Sequence, residues 1–417
     1  MILARVRARR RHLACAARLA LPGLALAIAG ACGRTSLDQL GPSSTSPGDP
    51  FAVDAGGVGH SGATSSGNAS GSGEAGGPSA VACPVACQGT CTATGCLYTL
   101  ATEQDHPVGI AVYGETVFWT NGPEATVMTM SLADGAPPAQ VLYTPREQLG
   151  EATGLPDAVG SIIVFPPCLE WWAISTQVEE VGPTYRGYGT AWIQVARLDG
   201  GPPYRQGESA GEGPTFGELA GIPNGVFGTD PATNGITIAQ IYPRYGVAEE
   251  DDNVTEEAPF GIASDVDVLY WTRSTASGSV RKASISYQQP PRVPLILVTP
   301  VVVASNQDTP GWLASDEANL YWVNMGSGSI AKVSKSGGAV TTLATGQDKP
   351  FGIVVNGSQV FWTNRSGTVM TVSTEGGDLA TLASGQDAPY AVAADATGVY
   401  WTNNDSVMRL TTRCPCP

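Results

Sequence analysis

The chain has 417 residues, 14% of them charged, with 52 glycines and 31 prolines. That is enough chain for two average domains or one large β domain, and the Gly/Pro content favours turns over helix. Six of the 22 basic residues lie in the first 31 positions; without them 16 basic residues face 37 acidic ones, a formal charge of −21, which argues against nucleic-acid and anionic-membrane surfaces as partners.

Residues 1–31 have the form of a signal peptide. Arg5, Arg7, Arg9, Arg10, Arg11 and Arg18 make a basic start, and a short apolar run leads to Ala31. The run is too short to span a bilayer. Ala29-Gly30-Ala31 fits a small-x-small cleavage site. With Cys32 it also resembles a bacterial lipobox, which implies acylation of Cys32 as the new N-terminus. Gly33 follows where an Asp would retain a lipoprotein at the inner membrane. By that resemblance the chain is expected at the outer membrane, as an anchored lipoprotein, or else free in the periplasm or outside the cell. The membrane is then met only through the N-terminal lipid.

Residues 32–80 are rich in Ser, Gly, Thr and Pro and read as a disordered tether, with a root-mean-square span of about 40 Å. Gly59-His60-Ser61-Gly62-Ala63 inside it superficially resembles a hydrolase nucleophile elbow, but the last Gly is missing and no strand precedes it. A Cys-rich segment, 81–96, follows with Cys83, Cys87, Cys91 and Cys96. The spacing lacks tight CxxC pairs and accompanying His, so disulfides are expected rather than zinc. Cys414 and Cys416 close the chain, and Cys168 is the expected odd cysteine.

From residue 97 to 417 a unit recurs. It opens on Gln-Asp-x-Pro, as at Gln347-Asp348-Lys349-Pro350. An apolar strand follows, then an aromatic-Trp-Thr-Asn strand, a Val-Met strand, a Gly-Gly turn and a last strand. Its copies place Trp119, Trp271, Trp322, Trp362 and Trp401 equivalently. The strand openers are residues 108–112, 260–263, 311–314, 351–354 and 390–393, each after a Pro. Aromatic and β-branched residues around each Trp are strong strand chemistry. Four short strands in about 40 residues make a β-propeller blade.

Trp119 and Trp271 are about three such steps apart, so two degenerate blades are expected between them. One includes residues 160–164, 170–174 and 191–195; the other includes 224–229 and 235–239. The fold is therefore expected to be all-β, a β-propeller of seven blades with four antiparallel strands each, or six if the middle is one enlarged blade. The last unit ends after its third strand, residues 406–410. Residues 97–102 match the end of a unit and are expected to complete that blade. Cys96 then comes near Cys414 or Cys416, and a disulfide there would be worth about 4–5 kcal/mol in the loop-entropy account.

The aromatic-Trp-Thr-Asn motif, preceded by Pro-x-Gly-Ile-Ala and followed by Gly-Gly, resembles the YWTD repeat of low-density-lipoprotein receptor propellers, and is similar to NHL-type propellers. In this chain Asn stands in place of the motif's Asp, and Arg273 in one unit. Members of that family have six blades.

Five residues are candidates for a binding site at the channel mouth. Asp105, Asp308, Asp348 and Asp387 each stand two residues before a Pro. They either attract a cation, Ca²⁺ included, or a basic partner, or order their own turns. Trp312 occupies a slot that is Gly or Ala in the other clear units, and either fills space or projects toward a ligand. The acidic runs Glu179-Glu180 and 249–252 read as solvated loops. Beyond the signal segment the only histidines are His60 and His106, and no nucleophile–base set stands out, so no catalytic residue and no cofactor is expected. The expected function is a non-enzymatic envelope binder or scaffold whose partner is an envelope protein or a glycan. The alternative is a metal-dependent hydrolase or lactonase, by resemblance to propeller lactonases that cage a divalent metal at the channel.

Overall fold

The computed structural model describes residues 89–92, 94–122, 124–144, 158–165, 168–181, 184–198, 204–211, 218–222, 225–230, 235–240, 254–288, 293–296 and 300–411. Every regular element among them is a β-strand, and no helix there is long and apolar enough to cross a membrane. The strands form seven antiparallel sheets of four or five strands.

The sixth sheet shows the pattern: Pro350–Asn356, Gln359–Asn364, Thr368–Ser373 and Ala380–Ser384 pair in chain order. The first sheet runs from Pro107–Tyr113 to Gln140–Tyr143, and the fifth from Pro310–Ser315 to Thr341–Ala344. The fourth opens with Pro259–Ser264; its long third strand, Gly278–Gln288, carries both Val293–Ile296 and Val301–Gln307. The register repeats: Ile110, Ile262, Leu313, Ile353 and Val392 lie opposite Trp119, Trp271, Trp322, Trp362 and Trp401.

The middle of the chain forms two sheets, as expected. Ala158–Phe165 begins the second and Leu219–Ile222 the third. One expectation is corrected here. Glu179 and Glu180 are not in a loop; they pair with Arg186 and Tyr185 in a long hairpin, Cys168–Val181 with Thr184–Arg197. The pairing continues without interruption from Cys168↔Arg197 to Val181↔Thr184, so the acidic pair falls within the ladder. The run 249–252 lies outside the described residues.

In the last sheet Gly95–Ala101 pairs with Val407–Thr411, joining Leu97 to Leu410 and Thr99 to Met408. A further strand, Thr90–Thr92, covers its outer edge. The first strands of successive sheets are neighbours throughout, and the first strand of the last sheet, Val392–Ala394, lies beside Pro107–Tyr113 of the first.

One packing rule accounts for most of the core. The aromatic residue preceding each Trp packs in the same cluster as the Trp of the following sheet. Phe118 meets Trp171, Phe227 meets Trp271, Tyr270 meets Trp322, Tyr321 meets Trp362, Phe361 meets Trp401, and Tyr400 meets Trp119. The five repeat tryptophans are fully buried. Each removes a large apolar surface from water and needs a partner for its N–H.

The Gln of Gln-Asp-x-Pro supplies that partner. Gln104, Gln307, Gln347 and Gln386 accept the indole N–H of Trp119, Trp322, Trp362 and Trp401 at 2.8, 3.2, 3.1 and 3.0 Å. The same oxygen accepts the side-chain amide of Asn121, Asn324, Asn364 or Asn403. This is why Asn follows Trp-Thr: an Asp there could not donate. In the fourth unit Glu256 replaces the Gln. It accepts from Trp271 and pairs with Arg281, while Arg273, in the Asn place, pairs with Glu257.

The Thr of Trp-Thr joins each sheet to the next. Thr120 Oγ1 donates to the Gly160 carbonyl (2.6 Å), Thr272 to Gly311 (2.8 Å) and Thr363 to Tyr390 (2.6 Å), and Thr229 donates to Phe260. Thr229 shows that Val226-Phe227-Gly228-Thr229 is a copy of Val-Phe-Trp-Thr with Gly for Trp.

Candidate functional site

The same threonines locate a slot on the first strands. Thr120, Thr272, Thr363 and Thr402 accept the amide of Gly109, Gly261, Gly352 and Ala391, each eleven residues earlier. The slot is tight. A Cβ on Gly261 would meet the Gly311 carbonyl at 2.4 Å, and one on Gly352 the Tyr390 carbonyl at 2.5 Å. Three units break the rule. In the second, by register, Trp172 stands in the Thr place and Ser161 in the slot. In the third, Thr229 accepts from Glu218; in the fifth, Val323 replaces the Thr and Trp312 holds the slot.

Glu218 turns its carboxylate onto two other sheets, accepting the amides of Ile262 (2.9 Å) and Leu313 (3.3 Å). Burial pushes its pKa up to about 8, against the opposing pull of those two amides. It is therefore largely uncharged at neutral pH.

Trp312 projects into a cluster of rings drawn from four sheets. Its ring centroid lies 5.6 Å from Phe351 and 6.2 Å from Tyr390. Phe351 and Tyr390 are 4.4 Å apart, and Phe260 stands edge-on to Phe351 at 6.2 Å. All four side chains are half-buried. Trp312 also packs against the clusters holding Ile353 and Ile110, so it does fill space, yet its Nε1 is buried without a hydrogen-bond partner. Exposed Arg365 lies over two of these rings, its guanidinium carbon 5.4 Å from Phe351 and 5.2 Å from Tyr390. Burial raises the Tyr390 pKa; Arg365 opposes the shift and Glu218 adds to it.

The four aspartates have separate local surroundings. Asp105 bonds His106 at 3.1 Å. The Asp308 side chain covers Gly326, where an added Cβ would lie 2.2 Å from it. Asp348 and Asp387 are exposed, and their backbone carbonyls accept from Ser366 Oγ and the Asn404 amide. Among the described residues no group of three or more His, Cys, Asp or Glu side chains could hold a metal. What the Gln-Asp-x-Pro turn requires is left-handed backbone just before the Pro: His106, Ala258, Thr309, Lys349 and Ala388 all have φ between 47° and 57°.

A second buried acid lies away from this cluster. Glu170 stands in the aromatic place before Trp171, is fully buried, and among the described residues neither carboxylate oxygen has a hydrogen-bond partner. Burial raises its pKa to about 8.

Among the cysteines, Cys96 and Cys168 are disulfide-bonded and buried. Cys168 is thus not the odd cysteine; spacing along the chain carries no information on which thiols meet in space. Cys91 lies opposite Cys96 on the adjoining strand. Cys32, Cys83, Cys87, Cys414 and Cys416 lie outside the described residues.

Sequence reading placed Trp312 at the centre but missed its company. The signal was present: Pro259-Phe260-Gly261, Pro350-Phe351-Gly352 and Pro389-Tyr390-Ala391 each put an aromatic between the turn Pro and the tight slot.

No family model matches the sequence, and no curated protein matches it. Among solved structures, the WD40 β-propeller domain of Doa1 is similar over 76% of this chain and 97% of that one, with a TM-score of 0.52 at 14% identity. A streptogramin B lyase is similar over the same shares, with a TM-score of 0.51 at 13% identity. At these identities the likeness is one of fold. The chain is a β-propeller repeat protein.

Proposed function

We propose that this chain is a closed seven-bladed propeller that serves as an exported, lipid-anchored binding module of the cell envelope, with no catalytic role. Its partner is an envelope protein or a glycan. The observation that carries the binding role is the central cluster: four half-buried rings and an exposed arginine converge from four sheets on one place. Recognition sites combine apolar and aromatic lining with a few placed polar groups in this way.

Seven blades and closure are supported by the aromatic-to-Trp packing at every joint but that of the second and third sheets, including the joint from the last sheet back to the first. Pairing of Gly95–Ala101 with the last unit supports the same reading. Export and anchoring rest on the basic start, the apolar run and Ala29-Gly30-Ala31-Cys32. Residues 33–80 then tether the propeller away from the membrane.

The test uses the full chain in its native host. Wild type retains envelope proteins or glycans on an affinity support, and the Phe351→Ala/Tyr390→Ala variant loses them. Unchanged retention by the variant contradicts this binding face. In the same cells Cys32→Ser moves the protein out of the membrane fraction; a variant that stays there contradicts the lipid anchor.

A further inference from the structure

Deepening that reading, and resting on it, we propose that the central cluster binds a carboxylate-bearing saccharide, its ring face on Phe351, Tyr390 and Trp312 and its carboxylate on Arg365.

Charge is the first argument. Among the described residues Arg273, Arg281, Lys332 and Lys335 each sit within ion-pair distance of a carboxylate. Arg365 does not. It is held over two ring faces, exposed, in a chain where acidic residues outnumber basic ones 37 to 22. Nearby carboxylates could have neutralised it, yet the buried acid that faces the cluster, Glu218, is largely protonated at neutral pH and tied to two backbone amides. The neighbouring turn is neutral in sum: the Arg365 amide bonds the carbonyl of exposed Lys349, and exposed Asp348 precedes that lysine. A guanidinium that is planar, weakly hydrated and unpaired suits a carboxylate held in two-point contact.

Shape and polarity are the second argument. The cluster offers ring faces at its centre and the Arg365 guanidinium at its margin. A pyranose has the matching pattern: one face of C–H groups, with hydroxyls around the edge. Trp312 is also the residue that departs from the small side chain of its slot in neighbouring units, so the departure adds ring surface at the same place.

Titration calorimetry on the full-length protein with trigalacturonate, maltotriose and benzoate tests the assignment. Trigalacturonate is expected to bind wild type and to lose at least about tenfold in affinity in Arg365→Ala, with part of the loss recovered in Arg365→Lys. Maltotriose is expected to bind far more weakly and to be insensitive to Arg365. Arg365 is exposed, so its variants keep the fold, which circular dichroism checks. No binding of trigalacturonate, equal binding by Arg365→Ala, or binding of benzoate alone overturns the proposal. If trigalacturonate fails while Phe351→Ala/Tyr390→Ala still abolishes retention of envelope material, the binding face stands and the saccharide acid falls.

Discussion

Trp362→Ala is expected to lower the unfolding free energy by about 3–5 kcal/mol. The indole is fully buried, fills the joint between the fifth and sixth sheets against Tyr321, and is fixed by its bond to Gln347. Gln347→Leu separates the two contributions. It keeps the packing but strands the N–H of Trp362 and one donor of Asn364. A buried donor left unpartnered costs about 1–3 kcal/mol, so this loss is smaller than that of Trp362→Ala. Urea denaturation of the three proteins reads both. A Gln347→Leu protein as stable as wild type would contradict the role given to that side chain.

The second expectation concerns Glu170. Its folded pKa, about 8, lies above the ordinary 4.5, so the fold favours the protonated acid. The stability this group permits is therefore whole below about pH 4.5 and is lost as pH rises toward 8, with a limiting slope of about 1.4 kcal/mol per pH unit. Glu218 contributes with the same sign. Thermal denaturation from pH 5 to pH 8 is expected to show falling stability, and Glu170→Gln to flatten the slope. Glu170→Phe with Gly228→Trp restores, at the second and third sheets, the pair found at the other joints. It is expected to stabilise the protein at pH 8 by a few kcal/mol, from burial of two large rings and removal of an unpartnered acid. An unchanged slope in Glu170→Gln would show that the acid is not held protonated.

These residues also show where the sequence could be read. The Trp spacing, the Pro-led first strands and the unpaired end of the last unit made the repeat, the sheets and the pairing of residues 97–101 legible. The middle was legible only as strands, because the two identifying side chains are missing there: Glu170 replaces the aromatic and Gly228 the Trp. With the eleven-residue link from Thr229 to Glu218, that stretch reads as an ordinary unit. The Gln of the turn was visible as a letter of the motif, but its double acceptance depends on spatial neighbours 15 and 17 residues away. Attention to charge favoured the neighbouring Asp instead. The long hairpin from Cys168 gave no sign of its length, since Gln177-Val178-Glu179-Glu180-Val181 carries no strict apolar alternation. The aromatic cluster was missed because its members are one per unit, and only the arrangement of sheets brings them together.

The distance between the first and last sheets tests the closed wheel most directly. Spin labels placed at residues 113 and 396 would report it by double electron–electron resonance. Tyr113 ends one first strand and Ala396 lies in the turn just after the neighbouring one, and both are exposed. The account predicts one narrow distribution below about 25 Å, label arms included. Sheets stacked in an open row about 10 Å apart would put six steps, about 60 Å, between the labels, and a distribution centred there would contradict it.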